Sequence, residues 1–277
     1  MRERRCGGGE KGAVEGLFLA FIGWGLVFLS VFVLGKKWLF PPLSSDRLAI
    51  DNLYFLILVI TGTVFFIVKF LWGFFIWRFS SSKNLKASYW HHNSSLEIFW
   101  TLITAIILST ISLKGLSLWG AIYTRPPADA IIIEVVAQQF VWNVRYPGKD
   151  GKFGKTSAGL IDDREQNNIG IDYTDPASKD DIVFQASDEY PIYLPVDVPV
   201  VFRLTSRDVI HSFFIPHFRV KQDTVPGMVN EVWFRPKKIG EYELACAELC
   251  GLGHYKMRGK VRVVTKEEYE GWLSRQK

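Results

Sequence analysis

Gly240-Glu-Tyr-Glu-Leu-Ala-Cys246-Ala-Glu248-Leu-Cys250-Gly-Leu-Gly-His254-Tyr-Lys-Met257-Arg-Gly-Lys-Val-Arg-Val-Val-Thr265 gathers two thiols, an imidazole and a thioether between positions 246 and 257. Both flanks alternate polar and apolar residues with the period of a half-buried strand. Positions 246, 250 and 254 would share one face of a helix, but Gly251 and Gly253 oppose a helix there. The run therefore reads as a loop between two strands. Soft sulfur combined with imidazole suits copper. Structural zinc wants four nitrogen or sulfur ligands, usually in paired Cys-x-x-Cys or His-x-x-x-His spacing, and has no use for a thioether. A Cys246–Cys250 disulfide in an oxidising compartment would leave His254 and Met257 at these spacings without a purpose.

A second imidazole comes from Ser206-Arg-Asp208-Val-Ile-His211-Ser-Phe-Phe-Ile-Pro216, where Val209 to Ile215 reads as a strand or strand end. Alone, His211 would be an ordinary core histidine. Asp208-Val-Ile-His-Ser-Phe, then Lys221-Gln-Asp223-Thr-Val-Pro226-Gly227, then the Cys-Ala-Glu-Leu-Cys-Gly-x-Gly-His-x-x-Met loop together resemble subunit II of the haem-copper cytochrome c oxidases. His91-His92-Asn93-Ser-Ser-Leu-Glu97-Ile-Phe-Trp100-Thr resembles the start of that family's second membrane helix, so the likeness extends over roughly residues 53 to 265.

The resemblance implies a CuA centre of two copper ions. Cys246 and Cys250 would bridge them, His211 and His254 would be terminal ligands, Met257 a weak ligand, and the carbonyl of Glu248 the last donor. It also implies that the Glu248 side chain reaches a magnesium or manganese ion shared with the catalytic subunit, since carboxylate oxygen suits a hard cation. A solvated loop glutamate is the plain alternative. Asp223 is open to a structural role near the same boundary. His217, close to His211, is a poor competitor for metal.

The family carries a tryptophan where electrons are thought to arrive from cytochrome c, and this chain has Phe140 there. Trp142 is retained, either as part of that route or as sandwich core. Glu97 matches the glutamate that guards a proton path into the catalytic subunit, and ionisable groups within hydrocarbon tend to mark pathways. A plain interfacial carboxylate is its alternative reading. His91 and His92 sit at a membrane border and are assigned no metal.

Three apolar stretches, Leu17 to Gly35, Leu53 to Phe79 and Leu96 to Trp119, are each long enough to cross a bilayer. Two are usual for the family. The first is expected as an extra helix or an uncleaved signal, because no small-x-small cleavage site follows it. The net charge of +5 divides unevenly: residues 1 to 125 hold 13 Lys+Arg against 6 Asp+Glu, the remainder 20 against 22. The basic excess therefore flanks membrane segments, and no motif favours nucleic acid. Arg2, Arg4, Arg5 and Lys11 before the first stretch, with Arg78, Lys83 and Lys86 between the second and third, put the C-terminal domain on the extracytoplasmic side of a bacterial inner membrane. Lys36, Lys37 and Arg47 oppose that orientation. Of three cysteines, two belong to the metal loop and Cys6 reads as a reduced cytoplasmic thiol, so no disulfide framework exists.

From Ile131 onward, short β-branched and aromatic runs broken by Pro and Gly predict an antiparallel sandwich, which the resemblance narrows to a cupredoxin-like Greek key. Thr265 and Glu268 form a capping-box pattern before a closing helix. The Gly- and Asp-rich stretch from Pro147 to Asp181 reads as an ordered excursion or a solvated loop; its acidic residues would suit a basic cytochrome c. The expected organisation is a membrane-anchored all-β protein. It comprises an extra N-terminal helix (1–50), a membrane helical hairpin (51–125) and a CuA domain (126–277). The resemblance implies electron transfer from cytochrome c to haem in catalytic subunit I, among other oxidase subunits, coupled to proton pumping. The alternatives are a CuA subunit of a nitric oxide reductase and a copper-free quinol oxidase subunit.

Overall fold

The structure is a computed structural model describing residues 8–35, 40–79 and 89–276. Arg2, Arg4, Arg5, Cys6, Lys36, Lys37, Lys83 and Lys86, used above for orientation and thiol state, lie outside the described residues. The chain divides into two compact units. One holds the helical segments to Trp119, and the other joins Phe40–Leu48 to the chain from Gly120 onward.

The first unit is built of α1 (Gly8–Gly35), α2 (Leu48–Phe79) and α3 (Ser94–Ile122). Leu48–Ile76 and Ser94–Ile122 are 29 residues each with mean hydropathy 2.3 and 1.9, above the length a bilayer core requires. Their large side chains, including Phe55, Phe75, Ile106 and Leu116, stand exposed, which suits lipid and not water. Thr61 and Thr110 donate their hydroxyls to the carbonyls of Ile57 and Ile106, both at 2.8 Å, so neither presents an unpaired polar group to hydrocarbon. α1 meets α2 through an edge-on contact of Trp24 with Phe66, ring centroids 4.9 Å apart. Asn93 caps α3 by accepting from the Leu96 amide at 3.1 Å.

The second unit packs two five-stranded sheets face to face. One runs β3 (Ile182–Ala186), β2 (Val141–Tyr146), β1 (Ile131–Gln138), β5 (Val200–Ser206), β8 (Asn230–Phe234). The other runs β4 (Ile192–Pro195), β10 (Arg258–Val264), β9 (Gly240–Cys246), β6 (His211–Ile215), β7 (Val220–Thr224). The sheets are mixed, unlike the antiparallel expectation: β1 pairs parallel to β5, and β10 parallel to β4. A strand can lie beside a parallel neighbour only through a crossover, and these crossovers carry the chain from sheet to sheet.

Alternation fills the interior. Ile133, Val135 and Ala137 of β1 point inward with Trp142 and Val144 of β2, Phe202 and Leu204 of β5, and Phe213 and Ile215 of β6, all without exposed surface. At roughly 1.5–3 kcal/mol per fully buried large apolar side chain, this layer is the main source of stability. α4 (Lys266–Arg275) begins with the expected capping box, Thr265 and Glu268 each accepting from the other's amide at 3.2 and 3.1 Å. It closes one edge by stacking Trp272 on Tyr193, 4.7 Å between centroids. Phe40–Leu48 is held to the β-domain rather than to the first helix: the Ser44 amide donates to His217 O at 2.8 Å and the Ser45 hydroxyl to Phe218 O at 2.9 Å.

Candidate metal centre

The site forms where β6 and β9 lie side by side. Phe213 pairs with Cys246 across the two strands, so His211, two residues earlier on β6, sits beside the point where β9 ends. The Cys246 amide donates to Met257 O at 3.1 Å and the Ala247 amide to Ser212 O at 3.0 Å. The loop is thus tied to both its own far end and β6. Gly251 has φ +131°, and a side chain there would meet Gln139 Nε2 at 2.8 Å. At Gly253 a Cβ would fall 2.4 Å from the Phe140 ring. Only glycine allows the loop to lie flat on Gln139 and Phe140, which is the reason for the Gly-x-Gly step before His254.

The donor atoms converge. Cys246 Sγ lies 3.1 Å from Glu248 O and 3.9 Å from Cys250 Sγ. Cys250 Sγ lies 3.5 Å from His254 Nδ1 and 3.9 Å from Met257 Sδ. Met257 Sδ in turn lies 3.1 Å from His211 Nδ1. The ligand atoms of His211, Cys246 and Cys250 all fall within 4.8 Å of one another. His211 and Met257 are fully buried and Cys250 nearly so. Both described cysteines are free thiols, far beyond the ~2.05 Å of a disulfide. A buried knot of lone pairs facing lone pairs lacks a positive centre, and soft sulfur with imidazole fits copper.

Electrostatics agree. Burial pushes the Cys246 thiol up, but hydrogen bonding to His211, the Ser212 amide and the loop outweighs it and leaves the group lowered to about 6. Cys250 is raised to about 11 by burial and by the negative charge on Cys246. The pair thus surrenders one proton readily and the second only to a competing cation. His211 is raised despite its burial, by Cys246 and Asp208. Asp208 Oδ1 accepts from His211 Nε2 at 2.8 Å, which turns Nδ1 toward the sulfurs, the carboxylate–imidazole arrangement that orients metal-binding histidines.

Among the other candidates, Trp142 is fully buried, its ring 6.2 Å from that of His211 and edge-on to Phe213 at 5.5 Å. Phe140 is half-buried beneath the glycines and precedes β2 rather than belonging to it. The Glu248 side chain is exposed. Asp223 lies opposite Ser212 on β7 with Lys221 Nζ at 4.0 Å. His217 packs on Tyr242 at 5.3 Å and stands outside the donor cluster. Burial, then Arg219, lowers its pKa. Glu97 lies in the first turn of α3 with its side chain exposed. Two supporting residues escaped sequence reasoning. Asp208 had a usable signal, a carboxylate three residues before a ligand histidine; Gln139, far away in sequence, had none.

Two family descriptions match: cytochrome c oxidase subunit II, periplasmic domain, over residues 131–264, and cytochrome c oxidase subunit II, transmembrane domain, over residues 39–118. The chain belongs to the cytochrome c oxidase subunit II family. It is 36% identical over 261 residues to the alternative cytochrome c oxidase subunit 2 of Bradyrhizobium diazoefficiens, covering 94% of this chain and 91% of that one. To the cytochrome c oxidase subunit 2 of Cereibacter sphaeroides it is 34% identical, covering 84% and 78%. The crystal structure of the periplasmic domain of subunit II of cytochrome oxidase from Bradyrhizobium japonicum aligns with 29% identity and a TM-score of 0.39, covering 55% of this chain and 96% of that one. As a subunit II, the protein is a membrane-spanning part of a haem-copper oxidase complex from a copper-binding family, and the cluster around Cys246 and Cys250 is its candidate metal site.

Proposed function

We propose that this subunit receives electrons one at a time from a cytochrome c and hands them to haem in catalytic subunit I, where oxygen is reduced and protons are pumped. The observation that carries the reading is the convergence of His211, Cys246, Cys250, His254, Met257 and the Glu248 carbonyl through contacts of 3.1 to 3.9 Å, with His211, Cys250 and Met257 buried beneath the loop. These residues would hold two copper ions, with both thiolates as bridges. When bound, such a pair supplies one-electron redox chemistry at little geometric cost.

The chain's own residues prepare that chemistry. Asp208 fixes the tautomer and direction of His211. The buried Trp142 packs edge-on against the His211 imidazole, and Phe213 backs the indole. Phe140, pressed under the loop glycines, together with Trp142 supplies the path from the donor's docking face. The exposed Glu248 carboxylate would bind magnesium or manganese at the boundary with the catalytic subunit. Glu97 would stand at the mouth of a proton path. The β-domain is assigned to the periplasmic side, with the basic residues flanking the membrane helices supporting that orientation.

Stopped-flow reduction of the purified oxidase by cytochrome c tests the reading. The Cys246→Ser enzyme is expected to lose rapid reduction while its haems still accept electrons from a small-molecule reductant. Unchanged rapid reduction by cytochrome c would refute it.

A further inference from the structure

Gln139 lies in the turn between β1 and β2, 69 residues from Asp208 and 111 from Cys250 in sequence, yet it bonds to both. Its side-chain amide donates to Cys250 O at 2.6 Å, and its backbone amide donates to Asp208 Oδ2 at 2.6 Å. The other oxygen of Asp208 holds His211 Nε2 at 2.8 Å. One residue therefore stands a single hydrogen bond from a sulfur donor's backbone and two from an imidazole donor. The metal loop rests directly on it, because a Cβ on Gly251 would strike Gln139 Nε2 at 2.8 Å.

We propose that Gln139 is a positioning residue that locks the two halves of the metal site together, the His211 strand end and the Cys250 loop. The inference rests on the metal-site reading above. His211 opens β6 and Cys250 lies in the loop after β9, and inside the site both meet Met257 and Cys246. Outside the donor cluster, Gln139 with Asp208 forms a further bridge that holds their separation. Hydrogen-bonding partners just beyond the ligands fix ligand direction in metal sites generally. Here the held group is a carbonyl of the loop as well as a histidine. Because the Asp208 contact uses the backbone amide, a side-chain substitution severs only the Cys250 arm.

The test uses the full-length subunit, first without copper and then in the assembled oxidase. In Gln139→Leu, which keeps bulk but cannot donate, alkylation of the Cys250 thiol in the copper-free chain is expected to accelerate roughly two- to tenfold, the worth of one hydrogen bond. Hydrogen exchange at residues 249 to 253 should accelerate with it. Gln139→Asn, shorter by one methylene, should behave like Leu, and Gln139→Lys, which restores a donor of similar reach, should recover slow alkylation. In the oxidase, Gln139→Leu should shift the reduction potential and copper spectrum. A residue that only docks the electron donor would change the second-order rate with cytochrome c and leave alkylation, potential and spectrum untouched; that result, in Leu or Asn, overturns the proposal. The copper-free readout survives even if the wild-type chain proves not to bind two coppers, so the two readings fail separately.

Discussion

Arg145 and His211 are both all but inaccessible within the same sandwich, yet one is ringed by its complement and the other has a complement, Asp208, on one side only and opens on the other to a cluster of electron-pair donors. Arg145 donates to Asp181 through Nε at 3.1 Å and through Nη2, to Glu134 at 3.2 Å and to Gly154 O at 2.6 Å, with the Phe153 ring 5.1 Å from its guanidinium. The positive charge is matched before any ligand arrives, and the cluster pins the long excursion after β2 to the sheet. His211 has one carboxylate, Asp208, on Nε2, while the cluster its Nδ1 enters is made of three sulfurs, a second imidazole and a carbonyl, donors of electron pairs with no cation among them. The contrast separates structure from chemistry: a cluster that neutralises itself supports the fold, while one that cannot is built to receive something.

The largest effect expected from breaking this contrast is on the self-sufficient side. Arg145→Met leaves Asp181 buried without its counter-charge and should destabilise the β-domain by about 3–5 kcal/mol, read by thermal unfolding of the full chain. Copper content of the folded fraction should not change. Loss of copper without loss of stability would mean that the two clusters are one unit.

The smaller effect is on the metal side and depends on pH. Cys246 is lowered to about 6 and Cys250 raised to about 11. Between those values, copper must displace the Cys250 proton, together with that of His211 below the latter's raised value. Below about 6 it must displace the Cys246 proton too. Each additional proton displaced costs tenfold in apparent affinity per pH unit. A chelator competition from pH 5 to 8 should therefore show affinity falling as pH falls, with a steeper slope below about 6. A single unbroken slope would contradict the split between the two thiols. For the copper-free fold the signs are opposite at the two partners. Stabilisation through the depressed Cys246 is lost as pH falls through about 6, and that through the raised His211 is lost as pH rises through its own elevated value.

The ligand loop was legible because its chemistry is local: Cys246, Cys250, His254 and Met257 sit on one short run between two alternating strands, and the glycines announce a loop. The capping box of α4 and the apolar membrane stretches were equally local. β7, Val-Lys-Gln-Asp-Thr, escaped notice because only Val220 and Thr224 face inward on an edge strand, and β3 is another edge. The parallel pairings escaped for a different reason: alternation records which face a residue takes and is blind to which neighbour it pairs with. Gln139 and Arg145 act through partners up to 111 residues away, a distance over which neither spacing nor composition leaves a trace.

The most direct measurement is the copper content and low-temperature EPR spectrum of the full-length subunit purified in detergent. Two coppers per chain, with a hyperfine pattern showing one unpaired electron shared equally between them, is the predicted result. One copper per chain with a mononuclear spectrum would contradict a site in which Cys246 and Cys250 bridge two ions.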